Sequence, residues 1–171
     1  GGGDWADNRL IPDCVKSICE NKELLIRFPK STRPWQHVFE ALYGYMILAL
    51  MQEKDKKING EVFNFGPNNK NSISVIELIK IFKKNWDTLS WRIVRSKKIL
   101  YESKLLKLNS NKAYSLLNWK CNLTTNQTIN FVINWYKFYL DANRKDMYEF
   151  SIDQIKRFEK IIEAKKIKKK K

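Results

Sequence analysis

The sequence predicts an α/β fold, mostly helical with short strands and an incomplete sheet, and three observations carry that reading. Apolar side chains recur at helical spacing in several separate stretches. Between them lie short runs of apolar and β-branched residues bounded by Asn, Gly and Pro, the pattern of brief strands. The two kinds of segment alternate, yet no continuous β-α-β run accounts for a complete sheet.

Leu10 to Glu20 reads as the first helix, with Leu10, Ile11, Cys14, Val15 and Ile18 on one stripe and Pro12 in the first turn, where its missing N–H is no loss. Leu24–Arg27 follows as a strand, and Pro29 to Pro34 is polar loop. A second helix runs from about Val38 to Gln52, with Phe39, Leu42, Tyr43, Met46, Ile47 and Leu50 as its apolar set and Gly44 as a point of close packing. A charged loop, Lys54 to Gly60, ends in an Asn-Gly turn signal. Glu61–Phe65 then reads as a strand stopped by Gly66-Pro67. Ser74 with Glu77 makes a capping box for a helix to about Asn85.

Ser90–Arg95 and Lys104–Leu108 read as short strands. Asn111–Leu117 reads as a short helix and Thr124 to about Asp141 as a long one, with Ile129, Val132, Ile133, Tyr136 and Tyr139 inward. The last helix, Ser151 to about Ala164, carries Ile152, Ile155, Phe158 and Ile162 on one stripe. Residues 1–164 form one partial domain on this reading, and Lys165–Lys171 is a basic tail expected to fray.

A chain of 171 residues, 43% hydrophobic, can bury a core. No apolar run approaches the roughly 20 residues that span a bilayer. The net charge of +15 raises a nucleic-acid reading, because basic surface is the footprint of phosphate binding. Two facts weigh against it. Lysines number 26 and arginines 7, beside 16 Asn and 18 Ile, a bias that an AT-rich genome writes into any protein. Arginine is the residue suited to bidentate phosphate and base contacts. Cys14, Cys19 and Cys121 have no metal-ligand spacing, and one histidine cannot complete a zinc site with them. They read as reduced thiols of a cytoplasmic protein.

Four blocks carry chemistry. Gly1-Gly2-Gly3-Asp4-Trp5 continues, after a short polar spacer, into Arg9-Leu10-Ile11-Pro12-Asp13. Glycines there would let backbone approach a ligand closely, and Arg9 beside Leu10 offers a cation and an apolar surface, as a nucleoside diphosphate requires. Ile26-Arg27-Phe28 leads into Arg33-Pro34-Trp35-Gln36-His37-Val38, where a guanidinium can hold phosphate oxygens two at a time. Phe63-Asn64-Phe65-Gly66-Pro67 closes a strand end with an amide. Tyr101-Glu102 precedes Leu105-Leu106-Lys107-Leu108 and Leu116-Leu117-Asn118-Trp119-Lys120, and Glu102 could accept from a cytosine amine.

These blocks resemble the CDP-glucose 4,6-dehydratases, extended short-chain dehydrogenases of the NAD-dependent epimerase/dehydratase family, over nearly the whole chain to about residue 160. The resemblance implies the C-terminal, substrate-binding part of that Rossmann-type fold, without the N-terminal dinucleotide-binding sheet. It marks Asp4, Trp5, Arg9, Leu10, Ile26, Arg27, Arg33, His37, Asn64 and Glu102 for a CDP-sugar, with Arg33 on the diphosphate. Phe28, Tyr101, Asn109 and Asn118 stand where the family pattern has Asn, His, Asp and Gly.

The activity implied is oxidation at C4 of the sugar by NAD, loss of water across C5 and C6, and return of hydride to C6. No Gly-x-x-Gly-x-x-Gly run and no Tyr-x-x-x-Lys pair occurs in the sequence. NAD and the catalytic groups are therefore expected in an N-terminal half, bound as a partner or lost, and relatives commonly dimerise through that half. Without it, the apolar faces of Leu10–Glu20 and Val38–Gln52 are expected to lack a partner. Two other readings stay open: a non-catalytic basic binding protein derived from this fold, and a sugar-nucleotide epimerase or dehydratase of different base preference.

Overall fold

The computed structural model describes residues 1–67, 72–94, 106–141 and 146–168. Six α-helices and two short strands appear there: α1 (Leu10–Cys19), β1 (Leu24–Ile26), α2 (Val38–Lys54), α3 (Val75–Asn85), β2 (Trp91–Ile93), α4 (Asn111–Leu117), α5 (Thr125–Asp141) and α6 (Met147–Lys168). A single 3₁₀ turn, Lys56–Ile58, follows α2. β1 and β2 pair in parallel, Leu24 opposite Trp91 and Ile26 opposite Ile93, with α2 and α3 in the crossover between them. Parallel neighbours need such a crossover.

The main core lies where α1, the strand pair, α3 and α5 meet. Cys14, Val15, Leu24, Ile26, Leu78, Ile79, Phe82, Ile129, Val132, Ile133 and Tyr136 fill it. A second cluster joins α2, the Phe65 loop and α4 through Phe65, Ala113, Leu117 and Trp119. A third seats α6 on α5 through Phe131, Phe158 and Ile162.

The predicted elements recur with four corrections. Glu61–Phe65 forms no strand, because β1 and β2 pair only with each other and no described strand lies beside this segment. Of Lys104–Leu108, the described residues 106–108 are not strand, and the first two lie outside the described residues, as do Arg95 and Glu102. α1 does not lack a partner: Cys14 and Val15 are fully buried in the main core.

α6, finally, begins at Met147 and runs to Lys168, so the first residues of the basic tail are helical, and the Lys165 ammonium donates to the Asn122 carbonyl. The inward face of α6 also shifts. Gln154, Phe158 and Ile162 are buried on it, while Ile155 is 39% exposed. Gln154 earns its burial by donating to the Phe131 carbonyl at 2.7 Å.

α2 meets the expectation of an unpartnered face only in part: Tyr43, Ile47, Leu48 and Met51 pack against the second cluster. It is apolar on every side, the composition of a helix surrounded by protein, yet Leu42, Tyr45, Met46 and Leu50 are about half or more exposed. It packs closely at Gly44, where an added Cβ would stand 2.5 Å from the Phe65 ring.

Candidate functional site

The site is built around the loop from Pro29 to Gln36, which the N-terminus of α3 holds in place. Helix N-termini present unpaired N–H groups. Here Val75 N–H donates to the Ser31 carbonyl at 2.9 Å and Ile76 N–H to the Pro29 carbonyl at 3.0 Å. The Ser74–Glu77 capping box supplies the reciprocal bonds on the same turn, and Trp35 Nε1 donates to the Ile73 carbonyl at 3.2 Å. Gln36 Nε2 donates to the Phe65 carbonyl at 2.8 Å, so the loop also secures the Phe63–Pro67 segment.

Two adjoining hollows flank this loop and share Trp35, Gln36 and Thr128. One, about 330 Å³, has Asp4 and Arg9 at its polar edge and Leu10, Ile11, Leu78, Ile129 and Val132 as an apolar floor. The other, about 220 Å³, is polar: Arg33, Lys165, Ser72, Thr124 and Thr125 line it beside Glu40 and Cys121. Pockets for small ligands commonly span about 300–1,000 Å³, apolar walls with a few converging polar groups.

The predicted residues separate into those that reach these hollows and those that do not. Asp4, Arg9 and Leu10 line the first. Arg9 Nη1 lies 2.8 Å from Asp4 Oδ2, and the Ala6 N–H and that guanidinium hold the Asp4 carboxyl below the usual range. Arg33 lines the second. Trp5 instead packs edge-on against Tyr136 at 5.3 Å between ring centres, and the Tyr136 hydroxyl donates to the Asp4 carbonyl. Burial pushes that phenol up to about 12.

Ile26 and His37 are interior, at 3% and 1% exposure. His37 caps α2, its Nδ1 accepting from Phe39 N–H at 3.2 Å, while its buried Nε2 has no partner among the described residues. Desolvation draws the imidazole down to about 3, so it is neutral at physiological pH. Arg27 sits in a separate, open depression with Asn8, Asp13 and Glu23, and its guanidinium is 3.4 Å from Asn8 Oδ1. Asn64 is exposed and lines neither hollow. The glycine run approaches protein: a Cβ on Gly2 would fall 2.0 Å from the Trp135 ring, while Gly1 reaches the first hollow.

Among the residues of the site that escape sequence reasoning are Gln36, Glu40, Thr128 and Lys165. Gln36 lies inside the Arg-Pro-Trp-Gln-His-Val block, which was its available signal. Glu40, on the first turn of α2, accepts from Asn122 and Leu123 N–H at 2.6 Å each and pins the loop that follows Trp119. Burial raises its carboxyl pKa against those hydrogen bonds. Burial, with Glu40 nearby, also pushes the Cys121 thiol up to about 12, which makes it a poor nucleophile.

No group of three or more His, Cys, Asp or Glu side chains among the described residues could hold a metal. Gly44 and Gly66 are filled against Phe65 and Leu108, and Gly60 is in an exposed turn with φ +79°, so these three glycines form no phosphate cradle together. No described helix is long and apolar enough to cross a membrane.

No protein-family model matches the chain. It is 35% identical over 141 residues to the CDP-glucose 4,6-dehydratase of Salmonella typhimurium, an alignment covering 82% of this chain and 39% of that protein. Among solved structures, UDP-glucose 4-epimerase from Stenotrophomonas maltophila, with bound NAD and formylated UDP-arabinopyranose, superposes with a TM-score of 0.67 at 19% identity. That match covers 80% of this chain and 41% of the epimerase. The dTDP-glucose 4,6-dehydratase of Bacillus anthracis, in complex with NAD, gives 0.64 at 19% identity, over 80% of this chain and 42% of that one. The chain thus spans about two-fifths of the length of these relatives. In sequence it is a relative of CDP-glucose 4,6-dehydratase, and its fold matches the C-terminal part of the extended short-chain dehydrogenase fold that nucleotide-sugar dehydratases and epimerases share.

Proposed function

We propose that this chain is the nucleotide-sugar-binding part of a CDP-glucose 4,6-dehydratase, an NAD-dependent lyase that forms the 4-keto-6-deoxy sugar. The observation that carries the reading is the pair of adjoining hollows around Trp35 and Gln36, one apolar with Arg9 at its edge, one polar and cationic around Arg33. A nucleoside diphosphate has the same division, a flat base and ribose joined to a dianionic diphosphate. Leu10 and the apolar floor take the nucleoside, Arg9 and Arg33 take phosphate oxygens, and Asp4 orients Arg9 through their ion pair.

Ile26 and His37 act from the interior, in the strand and at the helix cap that flank the Pro29–Gln36 loop, and Trp5 acts by packing the Asp4 segment on Tyr136. Arg27 and Asn64, which reach neither hollow, are left out of this site, and Glu102, beyond the described residues, is the candidate for the base amine. The NAD site and the acid–base groups of the reaction are assigned to protein outside these residues, since the sequence carries neither the Gly-x-x-Gly-x-x-Gly run nor the Tyr-x-x-x-Lys pair that the resemblance requires.

The same reading supplies a partner for α2. Its exposed apolar face, with the unpaired Glu61–Phe65 segment beside it, suits an NAD-binding sheet in the part of the relatives' length that this chain does not span. Calorimetric titration with CDP tests the binding claim. Binding is expected, weakened by about tenfold in Arg33→Met as one charge-assisted pair is lost. Unchanged affinity in that variant would remove Arg33 from the site.

A further inference from the structure

The polar hollow holds a cation that the family blocks do not include. Lys165 lies on α6, on the face marked by Gln154, Phe158 and Ile162, which are buried against α5 and its neighbours. The spacing of four, four and three residues puts all four side chains on one side of a helix. The buried part of that face therefore carries the Lys165 stem inward. Its ammonium donates one bond to the Asn122 carbonyl and lines the same hollow as Arg33, Ser72, Thr124, Thr125 and Thr128. An ammonium has three donors, so two remain beyond that bond.

The competing role for Lys165 is to neutralise Glu40, the one acid of the hollow. The geometry disfavours it. Glu40 Oε1 accepts from both the Asn122 and Leu123 N–H groups, Oε2 is 3.4 Å from Asn122 Nδ2, and the ion pairs of the described residues include none between Glu40 and Lys165. Lys165 does act on the Glu40 carboxyl through space, but Arg33 and Lys165 are two cations against this one acid, so the hollow keeps a net positive character even with Glu40 ionised. Two cations and four hydroxyl-bearing side chains around about 220 Å³ suit a compact polyanion.

We propose that Lys165 is a second cation of the diphosphate site, acting with Arg33 in the same hollow; the inference rests on reading that hollow as the place where the nucleotide sugar's diphosphate binds. Pyrophosphate is the probe, titrated calorimetrically into the full chain at low salt. The proposal expects Lys165→Met to weaken pyrophosphate about tenfold with an unchanged melting temperature, and Lys165→Arg to retain it. Equal affinity in wild type and Lys165→Met overturns it. So does a joint loss of binding and melting temperature in Lys165→Met that Lys165→Arg fails to restore, which marks a structural tie to Asn122. So, too, does a wild-type chain that does not bind pyrophosphate. Titration with CDP separates this from the functional reading. CDP bound no tighter than pyrophosphate defeats the nucleotide reading while Lys165 stands, and tight CDP binding indifferent to Lys165→Met does the reverse.

Discussion

His37 is the residue whose environment says most about how this chain spends its only histidine. The imidazole accepts from Phe39 N–H, packs edge-on to Phe39 at 4.4 Å between ring centres, and is fully buried. Its folded pKa lies at about 3, below the ordinary value of about 6.5. Between those two values the unfolded chain binds the proton and the folded chain does not. Stability from this group is therefore complete above about pH 6.5 and falls as pH drops toward 3. Asparagine can cap the same helix turn without titrating. Urea midpoints measured across that window should fall with acid more steeply in wild type than in His37→Asn; parallel slopes would refute the assignment. The Arg-Pro-Trp-Gln-His-Val block marked this residue for substrate, while a lone histidine just before an apolar helix read more readily as a packed or capping residue, and the structure shows the second. Asn118 is the opposite case. It stands where the family pattern has glycine, and its φ of 50° and position as the C-cap of α4 explain why asparagine, tolerant of the left-handed region, is acceptable there.

Among the elements, helices were legible throughout and strands only in part: Leu24–Arg27 and Ser90–Arg95 recur as β1 and β2, whereas Glu61–Phe65 does not. The helices carry local signals: a capping box at Ser74, apolar stripes in α1 and α5, a left-handed stop after α4. A strand is confirmed only by its neighbour, and Glu61–Phe65 has none among the described residues. Gly44 shows how tightly α2 is nonetheless placed. Alanine would favour the helix by up to about 1 kcal/mol, but its methyl would meet the Phe65 ring, itself 5.0 Å from Trp119 between ring centres. Overpacking costs about 1–3 kcal/mol, so Gly44→Ala should lower the urea midpoint. A midpoint equal to or above wild type would mean that the Phe65 loop yields. The run of α6 to Lys168 was hidden for a related reason: lysine-rich composition suggested a frayed tail, whereas the Asn122 carbonyl gives Lys165 a fixed partner.

For the whole molecule, the decisive feature is the imbalance between two faces. α1, α3 and α5 close one core, while α2 turns Leu42, Met46 and Leu50 outward at 47%, 59% and 59% exposure. Contiguous exposed apolar surface of this kind recruits a partner or aggregates. The chain alone should self-associate at micromolar concentration, and Leu42→Glu with Met46→Glu should shift it toward monomer in size-exclusion chromatography without lowering its melting temperature. A monodisperse wild-type monomer would contradict that. The division of labour in the site follows the same logic: Asp4, Arg9, Leu10 and Arg33 were readable as motif positions, but their grouping around Trp35 and Gln36 depends on contacts between distant segments. This grouping is proposed to hold a cytidine diphosphate sugar, which calorimetric titration of CDP-glucose into the chain measures. Saturable one-to-one binding, weakened about tenfold by Arg33→Met and tighter than pyrophosphate, is the predicted result. No heat of binding, or binding indifferent to Arg33, would contradict it.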